Sequence, residues 1–219
     1  MKIINVYGYR DASSIIFDSI KLNEKKYQNF NIAFTGGRFG KYFWNFLRSE
    51  GVDYDKWKLF LTDERLVADK NSLNSKIFNS SFSNTVNLIK NFYFFRGDID
   101  KEKNYFQILK ALNEIKIEAF HFTMMSLGED GHLAGQFNNS SFFDDRRMCY
   151  TLNASTLPKE RISFSVPWLL KSKIVYILVL EENKTIALNN LIRGDGIFDN
   201  KIFNQKNIVF LKNKDIHLK

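Results

Sequence analysis

The chain predicts an α/β fold: a mostly parallel sheet with helices on both faces, Rossmann-like in layout, forming a single domain over residues 1–219. Two observations carry that expectation. Short apolar runs of buried-strand length alternate along the chain with stretches whose apolar residues recur at helical spacing. Several of the runs also stop at glycine or at a knot of charged residues, and the carboxyl edge of an open α/β sheet is where ligands bind.

The elements follow in order. Residues 2–9 alternate weakly and read as an edge strand. Asp11 to Lys26 sets Ile15, Ile16, Ser19, Ile20 and Leu22 along one face of a helix. Asn31 to Phe34 is a short buried strand that breaks at Thr35-Gly36-Gly37-Arg38, and a helix carrying Phe39, Tyr42, Phe43, Phe46 and Leu47 begins there. Strand, glycine pair and helix start together make a phosphate cradle, because freed backbone N–H groups and a positive helix end converge. The stretch is neither a P-loop nor a dinucleotide fingerprint: Gly36 to Gly40 is one residue short, and Tyr42 stands where Ser or Thr would bind magnesium. A plain glycine turn is the competing reading.

Trp57 to Leu61 is the next strand and ends on Asp63-Glu64-Arg65, which reads either as a ligand edge or as a solvated turn with Asp63 as a cap. Asn91 to Phe95 and Lys101 to Ile115 read as strand and helix. The apolar run from Phe120 stops at Gly128, and Glu129, Asp130, Gly131 and His132 follow. A carboxylate and an imidazole two residues apart, past the end of a buried strand, are placed for chemistry; an ordinary turn capped by Asp130 is the alternative. The other two histidines lie inside the apolar run (His121) and in the last three residues (His217). Met148 to Leu152 is a strand, Pro167 opens a helix, and Ile174 to Leu180 is the clearest buried parallel strand. A helix over Thr185 to Ile192 and a strand over Asn207 to Leu211 complete the chain.

Hydrophobic residues make up 44% of the chain, which sets it apart from disordered sequences. The net charge of +8 suits an anionic partner. Lysine and arginine are scattered rather than blocked, which points to a phosphorylated small molecule and away from nucleic acid. The single Cys149 excludes an internal disulfide framework. No signal sequence is visible and the longest apolar run is too short for a bilayer, so the expectation is a cytoplasmic protein with no membrane partner, a monomer or small homo-oligomer. No cofactor is implied, and no metal, since no His, Cys and carboxylate set has ligand spacing.

Leu127-Gly128-Glu129-Asp130-Gly131-His132-Leu133-Ala134 through Phe137 resembles the signature of the 6-phosphogluconolactonases, which share a superfamily with glucosamine-6-phosphate isomerases/deaminases. Ser126, Leu127, Leu133, Gly135, Gln136 and Asn138 depart from the usual pattern; the Asp-Gly-His centre is intact. Four further stretches are similar to family motifs in the same order. They are Thr35-Gly36-Gly37-Arg38 (without the family's proline), Asp63-Glu64-Arg65 with Ser72-Leu73-Asn74, Pro158 to Phe164 around Arg161, and Lys184. The family's lysine usually follows glycine; here Glu181, Glu182 and Asn183 precede it. The resemblance runs from about Asn31 to Lys184.

It implies hydrolysis of 6-phosphoglucono-1,5-lactone in the pentose phosphate pathway. Imidazole takes a proton near neutral pH, so His132 is the candidate general base. Asp130 orients the imidazole or the sugar. Arg65 meets negative charge, on the oxyanion or on the product carboxylate. Asp63 and Asn74 contact sugar hydroxyls or place water. By the resemblance, Gly36, Gly37, Arg38, Arg161 and Lys184 hold the phosphate, where guanidinium forks suit the geometry. Two other readings stand beside this one: a glucosamine-6-phosphate deaminase, and a catalytically silent sugar-phosphate-binding module. The deaminase pattern carries a glutamate five residues after the histidine, where this chain has Phe137. Retention of Asp63 and His132 argues against the silent module.

Overall fold

The computed structural model describes residues 1–52, 54–76 and 91–218. Among these, the strands are β1 (Lys2–Val6), β2 (Phe30–Phe34), β3 (Trp57–Leu61), β4 (Asp63–Arg65), β5 (Phe92–Tyr93), β6 (Phe122–Ser126), β7 (Ser141–Phe142), β8 (Met148–Thr151), β9 (Arg161–Phe164), β10 (Ile174–Val179) and β11 (Ile208–Asn213). The helices are α1 (Tyr9–Glu24), α2 (Gly37–Ser49), α3 (Lys101–Glu114), the single turn α4 (Val166–Leu169) and α5 (Thr185–Arg193).

Seven strands form one sheet in the order β1-β11-β10-β6-β2-β3-β5, every pairing parallel. Side chains alternate across a strand, so each central strand feeds two cores. Ile32, Phe34, Leu59, Leu61, Tyr176 and Leu178 pack with Ile16 and Ile20 of α1 and Phe39, Phe43 and Leu47 of α2. Ala33, Phe60, Val175, Ile177 and Val179 face the other way, onto Ile108 and Leu112 of α3 and Leu188 and Leu191 of α5. Helices thus cover both faces, as expected, and β1 is an edge strand, also as expected. No helix among the described residues is long and apolar enough to cross a membrane.

One part of the architecture departs from the regular alternation that the sequence suggests. β4, β9, β8 and β7 form a separate antiparallel sheet in that order. Asp63-Glu64-Arg65 is therefore a strand rather than a turn, and Arg161 to Phe164, which no periodicity marks, is its partner. Four strands of two to four residues are too short for a two-residue repeat to declare itself. Their burial comes instead from packing Met148, Ile162 and Phe164 onto the larger sheet's core.

The seven-stranded sheet reverses its winding between β2 and β6. From β2 the chain steps outward through β3 and β5, and from β6 it steps the other way through β10 and β11. Ligands of open α/β sheets sit at the carboxyl ends of strands flanking such a reversal. The residues just past those two ends are Thr35-Gly36-Gly37 and Leu127-Gly128, and the antiparallel sheet closes over the same edge.

Candidate active site

A cleft of about 360 Å³ opens there. It is lined by Gly36, Gly37 and Arg38 at the start of α2, and by Asp63, Arg65 and Asn74 from the β4 region. Gly128, Glu129 and His132 follow β6, Thr156, Leu157 and Arg161 come from the β8–β9 hairpin, and Glu181 and Lys184 follow β10. Nine of the ten residues singled out from sequence line this one space; the tenth, Asp130, stands behind His132.

The His132 loop is not a helix start. It is a tight turn in which Gly128 N–H donates to the His132 carbonyl at 2.8 Å. Asp130 Oδ1 lies 2.5 Å from His132 Nδ1 and also accepts the His132 backbone N–H at 3.2 Å. Its other oxygen accepts from the Ser155 hydroxyl. Burial works against the Asp130 charge, but the hydrogen bonds from His132 and Ser155 outweigh it and hold the carboxyl well below its usual range. An ionised Asp130 keeps the ring proton on Nδ1 and leaves Nε2 as the basic nitrogen. The ring stacks on Phe137 with centroids 4.4 Å apart. It also lies so close to Gly128 that a Cβ there would stand 2.2 Å from Nδ1, which is why that position must be glycine.

Asp63 and Asn74 form a second fixed unit. Asn74 Nδ2 donates to Asp63 Oδ2 at 3.0 Å and to the Asp63 carbonyl at 3.1 Å, and Thr62 Oγ1 donates to Asp63 Oδ1 at 2.8 Å. The Asn74 amide presses on Gly36, where a Cβ would lie 2.5 Å from its Cγ. The glycine pair after β2 is thus locked to β4 through one side chain. Glu64, which the sequence reading left without a task, supports this unit from below. Fully buried, its carboxylate accepts the backbone N–H groups of Arg65 (2.8 Å), Asn74 (2.6 Å) and Ser75 (2.8 Å). Burial raises its pKa, and those three donors oppose the rise. The signal was present: in a strand Asp63 and Arg65 share one face, so Glu64 points to the other.

The basic residues divide into two groups. Arg65 and Arg161 stand directly opposite each other across β4 and β9. Like charges in that register repel. Arg65 Nη1 donates to the Ser72 carbonyl at 2.6 Å. Arg161 is only 6% exposed; its Nη2 reaches Thr156 Oγ1 at 3.5 Å, while Nη1 is buried with no hydrogen-bond partner among the described residues. Burial lowers the Arg161 pKa; Asp63 opposes that, and Arg65 adds to it. A buried donor left unpaired is costly unless an acceptor arrives. The second group is Arg38 and Lys184, both gathered around Glu181. Lys184 Nζ donates to Ser126 Oγ at 2.8 Å and pairs with Glu181 Oε2.

Sequence reasoning missed Ser155, Thr156 and Glu181. The first two lie in a hairpin whose contacts exist only once β8 and β9 pair, and Glu181 has the look of an exposed residue ahead of a helix.

A switch-point cleft with an aspartate-oriented imidazole and unpaired buried positive charge defines an α/β protein built to take a small anionic ligand. The chain belongs to the family of glucosamine-6-phosphate isomerases/6-phosphogluconolactonase, whose profile matches residues 9–200. It is 29% identical over 190 residues to a 6-phosphogluconolactonase of Borreliella burgdorferi, covering 82% of this chain and 80% of that one. In fold it is similar to the 6-phosphogluconolactonase of Thermotoga maritima (TM-score 0.83, 18% identity, 97% and 98% of the two chains). It is similar as well to a monomeric glucosamine-6-phosphate deaminase (TM-score 0.79, 16% identity, 99% and 98%). The fold is common to both activities, so the choice between them rests on side chains.

Proposed function

We infer that the protein hydrolyses 6-phosphoglucono-1,5-lactone to 6-phosphogluconate, a step of the pentose phosphate pathway. The observation that carries the reading is the pairing of one oriented base with one open cationic pocket: His132 on Asp130, lining the same cleft as Arg161 with its unpartnered Nη1. The phosphoryl group satisfies that buried donor, and Gly36, Gly37, Arg38 and Lys184 complete its surroundings. His132 Nε2 takes a proton from water as the oxygen attacks the lactone carbonyl. Arg65 lies where it can meet the developing oxyanion. The tetrahedral intermediate collapses, the ring oxygen leaves, and the imidazolium returns the proton to it as the new hydroxyl. Asp130 stabilises the imidazolium without itself accepting a proton. Asp63 and Asn74, held rigid by Glu64, face the sugar hydroxyls.

Phe137 favours hydrolysis over deamination. An isomerising deaminase moves protons between carbon and oxygen and needs a carboxylate beside the histidine. Here that position is an aromatic ring stacked on the imidazole, which can hold the base still but cannot carry a proton. The site is assembled from one chain, which suits a monomer or a small homo-oligomer acting among cytoplasmic sugar phosphates. The test is a coupled assay on freshly made lactone, with spontaneous opening subtracted, beside an ammonia assay on glucosamine 6-phosphate. Lactone opening with no ammonia at equal enzyme concentration is expected; ammonia at enzymatic rates without faster lactone opening would overturn the reading.

A further inference from the structure

At the carboxyl end of β10 the chain turns through Glu181 to Lys184, and the Lys184 side chain folds back onto the Glu181 carboxylate. The same carboxylate accepts the Tyr9 hydroxyl from α1 and lies 3.6 Å from Arg38 Nη2 at the start of α2. Tyr9 is fixed in turn by edge-on contacts with Phe39 and Tyr42, at 5.6 and 5.5 Å. Glu181 therefore does not drift in solvent: a hydroxyl and two cations hold it inside the cleft wall. Hydrogen bonds to Lys184 and Tyr9 keep the carboxyl charged against its burial.

An ammonium has three donors. In Lys184 one faces Glu181 and one faces Ser126, which leaves one for a ligand. Arg161, from β9, offers the same cleft a buried donor with no hydrogen-bond partner among the described residues. The anion-binding end of the cleft is thus divided into an open half and a half already neutralised from within. We propose that Glu181 is an internal counter-anion that competes with the ligand's phosphoryl group for Lys184 and Arg38, and so weakens the hold of the site on the anionic end of substrate and product. The proposal rests on the sugar-phosphate reading of the cleft. It assigns to Glu181 a specificity role: a ligand must bring enough negative charge to share two cations with a resident carboxylate, and product is released more readily than three unopposed cations would permit.

The test is calorimetric binding of inorganic phosphate and of 6-phosphogluconate to the intact protein and to Glu181→Gln. Glutamine keeps the size, and its one carbonyl oxygen can still accept from Lys184 while its amide donates to the Tyr9 oxygen, but it carries no charge. One like charge removed from roughly 5 Å of the phosphoryl group should tighten both ligands by about tenfold. Lys184→Met should cost more affinity in the Glu181→Gln background than in the parent, because only there is the lysine unopposed. Glu181→Ala, checked by thermal melting alongside, gives the same comparison should the glutamine variant not fold. Unchanged or weaker phosphate binding in a folded variant would overturn the proposal, as would equal costs of Lys184→Met in the two backgrounds. Parent protein that binds phosphate yet fails to open the lactone would sink the lactonase reading and leave this one standing.

Discussion

The two ends of β6 each carry a histidine, and the chain uses them in opposite ways. His121 sits at the amino end, stacked on Tyr27 at 3.8 Å and parallel to Phe30 at 5.5 Å. Its Nδ1 accepts the Asn31 backbone N–H at 2.9 Å, which ties β6 to β2. His132 follows the carboxyl end, and its Nδ1 faces a carboxylate instead. One imidazole nitrogen is committed to accepting a backbone N–H; the other ring is oriented by a carboxylate on its Nδ1. The strand between them is buried, so the difference comes from the edges. The amino edge closes a packed corner of the fold, and the carboxyl edge opens on the cleft at the point where the sheet reverses. Residue type alone does not assign a role; the strand end does.

Changes at the carboxyl edge should act on ligands and leave stability nearly untouched. The largest expected effect on ligand affinity is at Arg161. Removing its guanidinium by Arg161→Ala takes away charge-assisted bonds worth about 1.5–3 kcal/mol. Binding of 6-phosphogluconate should fall by roughly 10- to 100-fold, while the slow reaction of unphosphorylated gluconolactone stays near its parental rate. Equal losses on both substrates would make Arg161 a structural residue and erase the contrast.

A smaller effect of the opposite kind is expected at the amino edge. Burial, with the Lys173 charge nearby, lowers the His121 pKa below its ordinary value. The folded state therefore resists a proton that the unfolded chain accepts from about pH 6.5 downward. Stability from this group is fully present above that pH and is lost as pH falls toward the folded-state pKa. The melting temperature should drop between pH 7 and pH 5.5. His121→Phe keeps a ring for the stack and removes the titrating nitrogen, so it should flatten that slope at a lower overall melting temperature. An unchanged slope in the variant would place the sensitivity elsewhere.

Much of this was legible in the sequence because strand ends leave marks. β2, β3, β6 and β10 are apolar runs of five or six residues that stop at glycine or charge, and each stop marked a wall of the cleft. The antiparallel sheet was illegible for the same reason inverted: its strands are short, and their pairing is decided by tertiary contact. Glu64 could have been read from strand alternation once Asp63-Glu64-Arg65 was known to be extended. Glu181 could not, because nothing local distinguishes a carboxylate gripped by Tyr9 from one in water. Asp130 was placed beside His132 by spacing, but its second hydrogen bond to Ser155 spans 25 residues and belongs to the fold.

The contrast between the two histidines is tested most directly by measuring lactone turnover and thermal stability together for His132→Ala and His121→Phe. General-base catalysis typically contributes about 10²- to 10⁴-fold. His132→Ala should lose that much of the rate over spontaneous opening and melt near the parent temperature. His121→Phe should keep most of the rate at pH 7.5 and melt lower. A His132→Ala protein that opens the lactone at the parental rate, or a His121→Phe protein that folds normally yet is inactive, would contradict the account.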